Sequence, residues 1–350
     1  MYGIELFSGA GGLSLGAQWA GVQVTHAVDF SEPAAKTFSH NHPLTKVIVE
    51  DIRKLSGAGF AMPGRPLILF GGPPCQGFST SNQKNRNLNN PNNWLFSEFV
   101  RIARETDPDA IVFENVAGIT HTAGGFFERS LKTELKSIGY RVNSVLAEGT
   151  ELGLPQKRVR YFCVATKKKK IDLQNISKST QAVTVHDAIA DLPLLSVGNS
   201  VDIQPYNGEP ISKYAKLLRG DLRVCTGHMV TRNAPHIVER YKYVPQGGNW
   251  SNIPRDLMQS YKDASRCHTG IYRRLNASEP SVVLGNFRKN MLIHPSQDRG
   301  LSVREAARLQ SFPDSYEFMG TIGQQQQQVG NAVPPLMAEK VFRCIFDQLN

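Results

Sequence analysis

The first 165 residues alternate short apolar runs with amphipathic stretches, and this alternation constrains the fold more than any other feature. Residues 66–70 form an apolar run of strand length, whereas residues 94–105 carry apolar side chains at helical spacing. Strands and helices that alternate along a chain form a mostly parallel sheet with helices on both faces, so we predict an α/β fold. The predicted strands are residues 4–7, 22–28, 47–49, 66–70, 110–113, 140–146 and 161–165, and the predicted helices are residues 13–20, 33–40, 94–105 and 126–138.

Glycines, acids and a cysteine follow the first five predicted strands. In a parallel sheet, ligands bind outside the carboxyl ends of the strands, so these residues are candidates for one common site. In strand order they are Gly9, Gly11 and Gly12, then Asp29 and Phe30, then Asp51 and Ile52, then Cys75, and finally Glu114 and Asn115.

The residues after the first three strands fit an adenosine-containing ligand. The glycine loop lets a ligand approach the backbone at a helix N-terminus, and it departs from the dinucleotide G-x-G-x-x-G spacing because Ser14 takes the last position. Asp29, about 20 residues after the loop, can hold ribose hydroxyls. Phe30 can lie against an adenine ring, and Asp51 can accept a hydrogen bond from its amine. Each residue alone is also typical of a turn or a helix cap, but together they favour a ligand.

Cys75 is the candidate nucleophile. It lies in the turn Pro-Pro-Cys-Gln-Gly at residues 73–77, which is poor material for a core but suits an exposed thiol. Cys163 and Cys344 lie in apolar segments that we expect to be buried, and Cys225 and Cys267 have no partner at metal-ligand spacing. The scattered cysteines argue against disulfides or a zinc site and favour a reducing cytoplasm. We predict no metal.

A neighbouring positive charge would activate Cys75, because a free thiol with a pKa near 8.5 is only about 3% thiolate at pH 7. Gln156, Arg158 and Arg160 alternate along the chain, so an extended segment places them on one face. A solvated basic strand is the alternative for this segment. Glu114 ends an apolar strand, and a buried carboxyl there favours a functional site. An acid that is hydrogen-bonded to the next loop is the alternative.

The positive charge of the chain is concentrated in its middle part. The net charge is +10, and residues 166–300, with 20 lysines and arginines against 11 acidic residues, contribute +9 of it. Such an excess indicates a polyanionic partner, with a solvated basic face as the alternative. No apolar stretch reaches membrane-spanning length, and the N-terminus lacks the pattern of a signal peptide.

A second, smaller domain is predicted where the alternation fades. Between residues 166 and 300 the periodicity is weak, and Gly, Pro, Asn and basic residues are frequent. We place the start of the smaller domain near residue 195. Helices are predicted over residues 183–192, 302–311 and 334–349, and the five glutamines at 324–328 are predicted to form a helical turn or a mobile connection.

In their order along the chain, these residues resemble the DNA cytosine-5 methyltransferase family. The resemblance covers most of residues 1–167 and 297–340. The matching segments are FSGAGG at 7–12, GPPCQGFS at 72–79, ENV at 114–116, QKRVR at 156–160, REAARLQSFP at 304–313 and GNAVP at 330–334.

The resemblance implies a Rossmann-like methyltransferase fold with S-adenosyl-L-methionine as the cofactor. It further implies a catalytic and cofactor-binding domain of residues 1–194 plus 326–350, and a small target-recognition domain of residues 195–325 inserted before the C-terminal helix. The implied cofactor contacts are Phe7, Gly9, Gly11, Gly12, Asp29, Phe30, Asp51, Ile52, Pro74, Leu95, Asn331 and Val333.

The family mechanism implies that Cys75 adds to C6 of a cytosine flipped out of double-stranded DNA, which lets C5 take the methyl group. Glu114 would hold N3 and the amino group of the base, and Arg160 would contact the base carbonyl. Arg158 would contact a phosphate or the ring. Sequence readout is assigned to the basic inserted domain, where Gly247 and Gly248 form a candidate close-approach loop. The implied DNA contacts are Gln76, Ser79, Gln156, Gly247 and Gly248.

One segment departs from the family pattern. Residues 89–93 are Asn-Asn-Pro-Asn-Asn, where many members carry a charged Asp-x-Arg-Asn-type stretch, so we expect loop closure over the base to differ. Two alternatives remain: a tRNA-directed cytosine-5 methyltransferase, and a DNA-binding module without activity, against which the intact Cys75, Glu114 and Arg160 argue. We expect a monomer in the bacterial cytoplasm, or a phage-encoded one, with a restriction endonuclease that acts on the same site.

Overall fold

The structure is a computed structural model that describes residues 1–60, 64–74, 94–259 and 269–349. The chain forms two compact units. The first unit comprises Met1–Leu152, Val159–Lys178 and Val333–Asn350, and the second comprises Gly153–Arg158 and Ser179–Ala332.

A seven-stranded sheet forms the centre of the first unit. Its strands are β1 (Tyr2–Leu6), β2 (Gln23–Asp29), β3 (Lys46–Val49), β4 (Leu67–Gly71), β5 (Ala110–Val116), β6 (Arg141–Glu148) and β7 (Val159–Thr166). Their order across the sheet is β3-β2-β1-β4-β5-β7-β6. The first five strands are parallel, and β7 is antiparallel to both of its neighbours. The predicted α/β fold with a mostly parallel sheet is confirmed.

Seven of the helices fall close to predicted positions, whereas the helices at Lys213–Arg219 and Pro235–Lys242 were not predicted. In chain order, the helices are α1 (Gly12–Trp19), α2 (Glu32–Asn41), α3 (Leu95–Thr106), α4 (Phe126–Ser137), α5 (Val185–Ile189), α6 (Lys213–Arg219), α7 (Pro235–Lys242), α8 (Val303–Leu309), α9 (Ile322–Asn331) and α10 (Pro335–Leu349). Two short strands, β8 (Gln204–Pro205) and β9 (Val224–Cys225), pair in the second unit. In the part of the chain that the structure describes, no helix combines the length and the apolar character needed to cross a membrane.

The core of the first unit follows from its apolar patterning. Strand β4 is buried along its whole length, as expected for a central strand of a parallel sheet. Phe99 on α3 packs edge to face on Phe113 of β5, with ring centroids 5.4 Å apart. Helix α10 approaches α1 so closely that a Cβ atom on Gly16 would lie 2.4 Å from the Pro335 carbonyl oxygen. A glycine is therefore required at this crossing, despite its cost within a helix.

Buried ion pairs around α8 organise the second unit. The Arg308 guanidinium is fully buried and donates to Asp191 Oδ1 at 2.5 Å and to Asp314 Oδ2 at 2.6 Å. One turn earlier, Glu305 accepts two hydrogen bonds from Arg299 and caps the helix together with Ser302. Charges buried in this way are tolerated only when they are fully paired, which explains why acids and arginines accompany this apolar helix.

The second compact unit is wider than the predicted small domain of residues 195–325, since it begins at Ser179 and ends at Ala332. Its N-terminal extension has a clear cause. The backbone N–H groups of Val185 and His186 in α5 donate to the carbonyls of Glu279 and Ala277, each at 2.9 Å. Asp191 then pairs with the buried Arg308, so residues 179–194 pack with the second unit.

The glutamine run is part of helix α9, and the predicted alternative of a mobile connection is wrong. Gln324 forms a capping box with Thr321 at the start of the helix. The next glutamines also make defined hydrogen bonds: Gln325 donates to the Gly320 carbonyl, and Gln328 donates to the Met319 carbonyl. A run of low sequence complexity thus has a specific structural role.

Candidate active site

The loop after β1 is a strained turn that opens helix α1. Phe7 has φ of 58°, a conformation that is costly for a residue with a large side chain and is typical of functional sites. Gly11, with φ of 87°, precedes the first residue of α1, Gly12. A Cβ atom on Gly9 would have no described atom within 4 Å, so open space lies beside the loop. The predicted glycine loop thus leaves room for a ligand at a helix N-terminus.

Asp29 links this loop to the end of β2. Its Oδ2 atom accepts a hydrogen bond from the Gly9 N–H at 2.7 Å, and Oδ1 accepts one from the Ser31 N–H at 2.8 Å. Burial raises the pKa of Asp29, and the backbone donors partly offset that effect. Phe30, the next residue, leaves 75% of its surface exposed. An exposed ring beside a carboxylate suits the adenosine part of a ligand.

Two polar residues of the same region were missed by sequence reasoning. Glu5 lies buried in β1 and accepts a hydrogen bond from Ser14 of α1, and burial raises its pKa well above the usual value. The signal in the sequence was an acid within an otherwise apolar strand. Ser8 has a buried hydroxyl oxygen without a hydrogen-bond partner among the described residues. A ligand in this loop could satisfy that hydroxyl.

Asp51 and Ile52 follow β3 and have different surroundings. Asp51 caps a short 3-10 helix and pairs with Arg53, whose hydrogen bonds lower the pKa of Asp51 to about 2. The carboxylate is therefore charged and can still accept a further hydrogen bond, as predicted for an adenine amine. The Ile52 side chain is buried in the core of the first unit. Leu95, the first residue of α3, packs against the same core.

Glu114 and Arg160 form an ion pair at the ends of β5 and β7. The Arg160 Nε atom lies 2.9 Å from Glu114 Oε1, and both side chains are largely buried. The antiparallel register, which pairs Val116 with Arg160, brings the two residues together. The sequence predicted both residues as part of one site, and the structure brings them into direct contact.

The same strand end supports the proline turn. A Cβ atom on Gly72 would lie 2.6 Å from Glu114 Oε2, so the turn passes directly over the carboxylate. Asn115 Nδ2 donates to the Pro73 carbonyl at 3.2 Å. Pro74 is partly buried and is the last described residue of the turn. Cys75, Gln76 and Ser79 lie outside the described residues.

Arg158 and Gln156 lie in the second unit and are fully buried. Arg158 donates to the backbone carbonyls of Gly330 and Ala332 at 3.3 and 2.9 Å. This burial argues against the predicted contact of Arg158 with a phosphate or the ring. Gln156 donates to the Leu309 carbonyl and accepts from the Leu284 N–H at 3.0 Å. Its burial therefore also argues against the predicted DNA contact of Gln156.

The remaining predicted residues lie in separate places. Gly247, with φ of 73°, donates to the Arg274 carbonyl, and the Arg274 N–H donates to Gly248, which makes this loop a tight and well-defined turn. Asn331 is the exposed last residue of α9, in the second unit, whereas the partly buried Val333 belongs to the first.

The described thiols are poor alternatives to Cys75. Burial raises the pKa of Cys163 and of Cys225 to about 12, which suppresses their thiolate forms. Burial also raises the pKa of Cys344. In the described ranges, no group of three or more His, Cys, Asp or Glu side chains could hold a metal ion.

Comparisons with a family model, with curated proteins and with solved structures all match this chain to DNA methyltransferases. Residues 1–347 match the family described as C-5 cytosine-specific DNA methylase. The chain is 31% identical to type II methyltransferase M.DdeI of Desulfomicrobium norvegicum over 99% of this chain and 89% of that protein. It is 33% identical to type II methyltransferase M1.HphI of Haemophilus parahaemolyticus, over 98% and 86% of the two chains. A solved structure of a putative DNA modification methyltransferase encoded within an E. coli prophage superposes with a TM-score of 0.82 at 28% identity, covering 100% of this chain and 99% of the other.

Proposed function

Because the chain belongs to the C-5 cytosine-specific DNA methylase family, we propose that it methylates C5 of a flipped cytosine in duplex DNA through a covalent adduct with Cys75. The observation that carries this proposal is the Glu114–Arg160 ion pair, which lies beneath the turn that leads into Cys75. Enzymes of this family use S-adenosyl-L-methionine as the methyl donor, and so does this one.

The loop after β1 fits this cofactor. We propose that Ser8 bonds its polar amino-acid part, since the Ser8 hydroxyl is buried and unsatisfied among the described residues. Asp29 and Phe30 would hold the ribose and the adenine ring, and Asp51 would accept a hydrogen bond from the adenine amine. The open space beside Gly9 supports this placement. When bound, the cofactor supplies an electrophilic methyl group on a positively charged sulfonium.

Cys75 would start the reaction on the base. Cytosine C5 is a weak nucleophile, and addition of the Cys75 thiolate to C6 moves the electrons of the 5,6 double bond toward C5 and N3. The ring then resembles an enamine, whose C5 can attack an electrophilic methyl group. Loss of the C5 proton to a base and expulsion of the thiolate restore the double bond and release 5-methylcytosine.

Glu114 and Arg160 would stabilise the adduct. The carboxylate of Glu114 can accept a hydrogen bond from the amino group of the base and can share the proton that N3 takes up as charge develops on the ring. Arg160 pairs with Glu114 at 2.9 Å and has further N–H donors for the base carbonyl. Preorganised groups of this kind cost little reorganisation when the charge develops.

We propose that the second unit binds the DNA duplex. Extrusion of the target base costs a few kcal/mol, which contacts elsewhere must offset. Residues 179–300, which belong to this unit, carry 15 lysines and arginines against 10 acidic residues, a net charge of +5, and a basic surface releases counterions when it binds phosphates. Residues 195–325 would form the target-recognition part, with the tight Gly247–Gly248 turn close to the DNA.

We also propose a restriction-modification role. The named type II methyltransferases above are similar over nearly the whole chain. A monomer in the bacterial cytoplasm would suffice for this role, with a restriction endonuclease that acts on the same site without binding the methyltransferase. Digestion of DNA from expressing cells with a panel of restriction enzymes would show which site has become protected.

Transfer of tritiated methyl groups tests the function. The purified protein is incubated with tritiated S-adenosyl-L-methionine and either duplex DNA or tRNA, and bisulfite sequencing then locates the modified cytosine. We expect 5-methylcytosine in duplex DNA in one sequence context. Transfer to tRNA alone would replace the DNA assignment, and the absence of transfer to either would support a binding module.

The covalent step needs a separate test. A duplex with 5-fluorocytosine at the modified position lacks the C5 proton, so the adduct should persist and migrate as a protein–DNA complex on a denaturing gel. Cys75→Ala should abolish both transfer and the complex. Cys344→Ser, a change of a buried thiol on α10, is the matched control and should keep both. Transfer that persists in Cys75→Ala would refute the covalent mechanism.

A further inference from the structure

We infer that Arg158 is a positioning residue that holds the segment at the end of α9 for cofactor binding, and that it makes no contact with DNA. This role rests on the proposed function, because it matters only if Asn331, the last residue of α9, contacts the cofactor. The hydrogen bonds of Arg158 and Gln156 within the second unit carry the inference.

Arg158 satisfies carbonyls that a helix end leaves open. Helix α9 ends at Asn331, so the last carbonyl groups of the helix need partners from outside it. The Arg158 guanidinium donates to the Gly330 carbonyl at 3.3 Å and to the Ala332 carbonyl at 2.9 Å. A positive charge at a helix C-terminus also interacts favourably with the helix dipole. These bonds fix the backbone on both sides of Asn331.

Gly330 is held from a second direction. A Cβ atom on Gly330 would lie 2.0 Å from the Gly285 carbonyl oxygen, so the two backbones are in close contact. The segment is thus confined between the Gly285 loop and the Arg158 guanidinium. Any residue larger than glycine would displace one of them.

Gln156 supports the end of α9 one residue before Gly330, at the Val329 carbonyl, through Gln310. Its Nε2 atom donates to Gln310 Oε1 at 3.0 Å, and Gln310 Nε2 donates to the Val329 carbonyl at 2.8 Å. Gln156 and Arg158 together therefore control the carbonyls of Val329, Gly330 and Ala332. The alternating spacing in the sequence serves this anchoring, rather than the predicted common face toward DNA.

The side chain of Asn331 is held as well. Gln327 Nε2 donates to Asn331 Oδ1 at 2.7 Å, and Asn286 Nδ2 donates to Gln327 Oε1 at 3.2 Å. The glutamine run thereby orients the exposed amide of Asn331 at the end of α9. Loss of either support, backbone or side chain, should leave Asn331 less well placed and weaken cofactor binding.

Two binding measurements distinguish this role from a phosphate contact. Cofactor affinity is measured by calorimetry without DNA, and duplex affinity by fluorescence anisotropy at several salt concentrations. For Arg158→Met we expect S-adenosyl-L-methionine to bind about tenfold more weakly, because hydrogen bonds from a charged group are lost. The slope of log Kd against log salt should stay unchanged. A phosphate contact would instead reduce that slope by about one and leave cofactor affinity intact, which would overturn the inference.

Three further variants sharpen the comparison. Arg158→Lys keeps the charge, but its shorter side chain does not bring the ammonium to the position of Nη2, which donates both bonds, so it should still weaken cofactor binding. Gln327→Ala, a change on an exposed surface, should weaken it in the same direction. Lys157→Gln removes a neighbouring exposed charge and should leave cofactor affinity unchanged. Melting curves show whether each variant is folded. If Arg158→Met fails to fold, the cofactor affinities of Gln327→Ala and Arg158→Lys test the inference instead. Unchanged affinity in Gln327→Ala and Arg158→Lys would overturn the inference, whereas a wild-type protein that binds no cofactor would overturn the proposed function itself.

Discussion

The Glu114 carboxylate and the Arg160 guanidinium lie 2.9 Å apart, on adjacent antiparallel strands of the first unit. The pair is largely buried, so its charges are weakly screened and its geometry is fixed by the register of two sheet strands. A carboxylate held in this way is oriented before any base arrives. Among the described residues, this pair is the arrangement on which the proposed mechanism depends most directly.

Replacement of Glu114 tests this arrangement. Glu114→Gln keeps the size of the side chain but loses the carboxyl group that would share the proton taken up by N3. We expect kcat for methyl transfer to fall about 10²- to 10³-fold, a typical effect of removing one preorganised group. Cofactor affinity should change little. Glu279→Gln, which alters an exposed acid, is the control and should retain full activity. Steady-state kinetics on duplex DNA provide the measurement.

A methyl group added at Gly72 should displace the Glu114 carboxylate while leaving Glu114 itself unchanged. In Gly72→Ala the new Cβ would lie 2.6 Å from Glu114 Oε2, so the turn or the carboxylate must shift. We expect kcat to fall at least tenfold while the protein remains folded, because a displaced catalytic group loses its alignment. Gly59→Ala is the matched control, since its Cβ would meet no described atom within 4 Å. Equal activities of the two variants would contradict this assignment.

The sequence predicted the sheet well because its signals are local. Apolar runs of strand length and glycine or acid residues at their ends determine where β1 to β5 begin and where a site can form. Glu114 and Arg160 were both predicted as site residues, but their direct contact depends on the register of β5 and β7, which no local pattern specifies. The ion pair is therefore a result of the tertiary structure.

The predictions that missed the buried positions of Arg158, Gln156 and Glu5 failed for one physical reason. Arg158 and Gln156 look like exposed polar residues on an extended segment, yet both are buried and satisfy backbone carbonyls or side chains that are distant in sequence. Glu5 is hidden by the apolar residues around it, although it is hydrogen-bonded to Ser14. Burial of a polar side chain depends on partners that only the folded chain supplies, and periodicity does not reveal them.

The buried carboxyl of Glu5 predicts a specific dependence of stability on pH. Burial raises its pKa well above 4.5, so Glu5 stays protonated in the native state where the unfolded chain has already lost that proton. Unfolding then releases a proton, and the free energy of unfolding falls as the pH rises from about 4.5 toward the native pKa, by about 1.4 kcal/mol per pH unit. Glu5→Gln keeps an acceptor for Ser14 and removes this loss.

The measurement is a set of melting curves from pH 5 to pH 8 for both proteins. The melting temperature of Glu5→Gln relative to wild type should rise with pH until the pH reaches the native pKa of Glu5, and should then stay level. Glu151→Gln, a change of an exposed acid, is the control and should give a nearly constant difference. Parallel curves for Glu5→Gln and wild type would mean that Glu5 is ionised in the native state.

Removal of the Arg308 guanidinium should destabilise the second unit far more than removal of a surface charge. Arg308→Met keeps the apolar stem of the side chain but leaves Asp191 and Asp314 buried without their main partner. Breaking a buried ion pair from one side typically costs 3–5 kcal/mol, because the remaining charge stays desolvated. Lys54→Met, which breaks the exposed pair with Glu50, should cost less than about 1 kcal/mol. Urea unfolding followed by circular dichroism compares the two variants, and a loss of under 1 kcal/mol in Arg308→Met would show that these acids find other partners or take up protons.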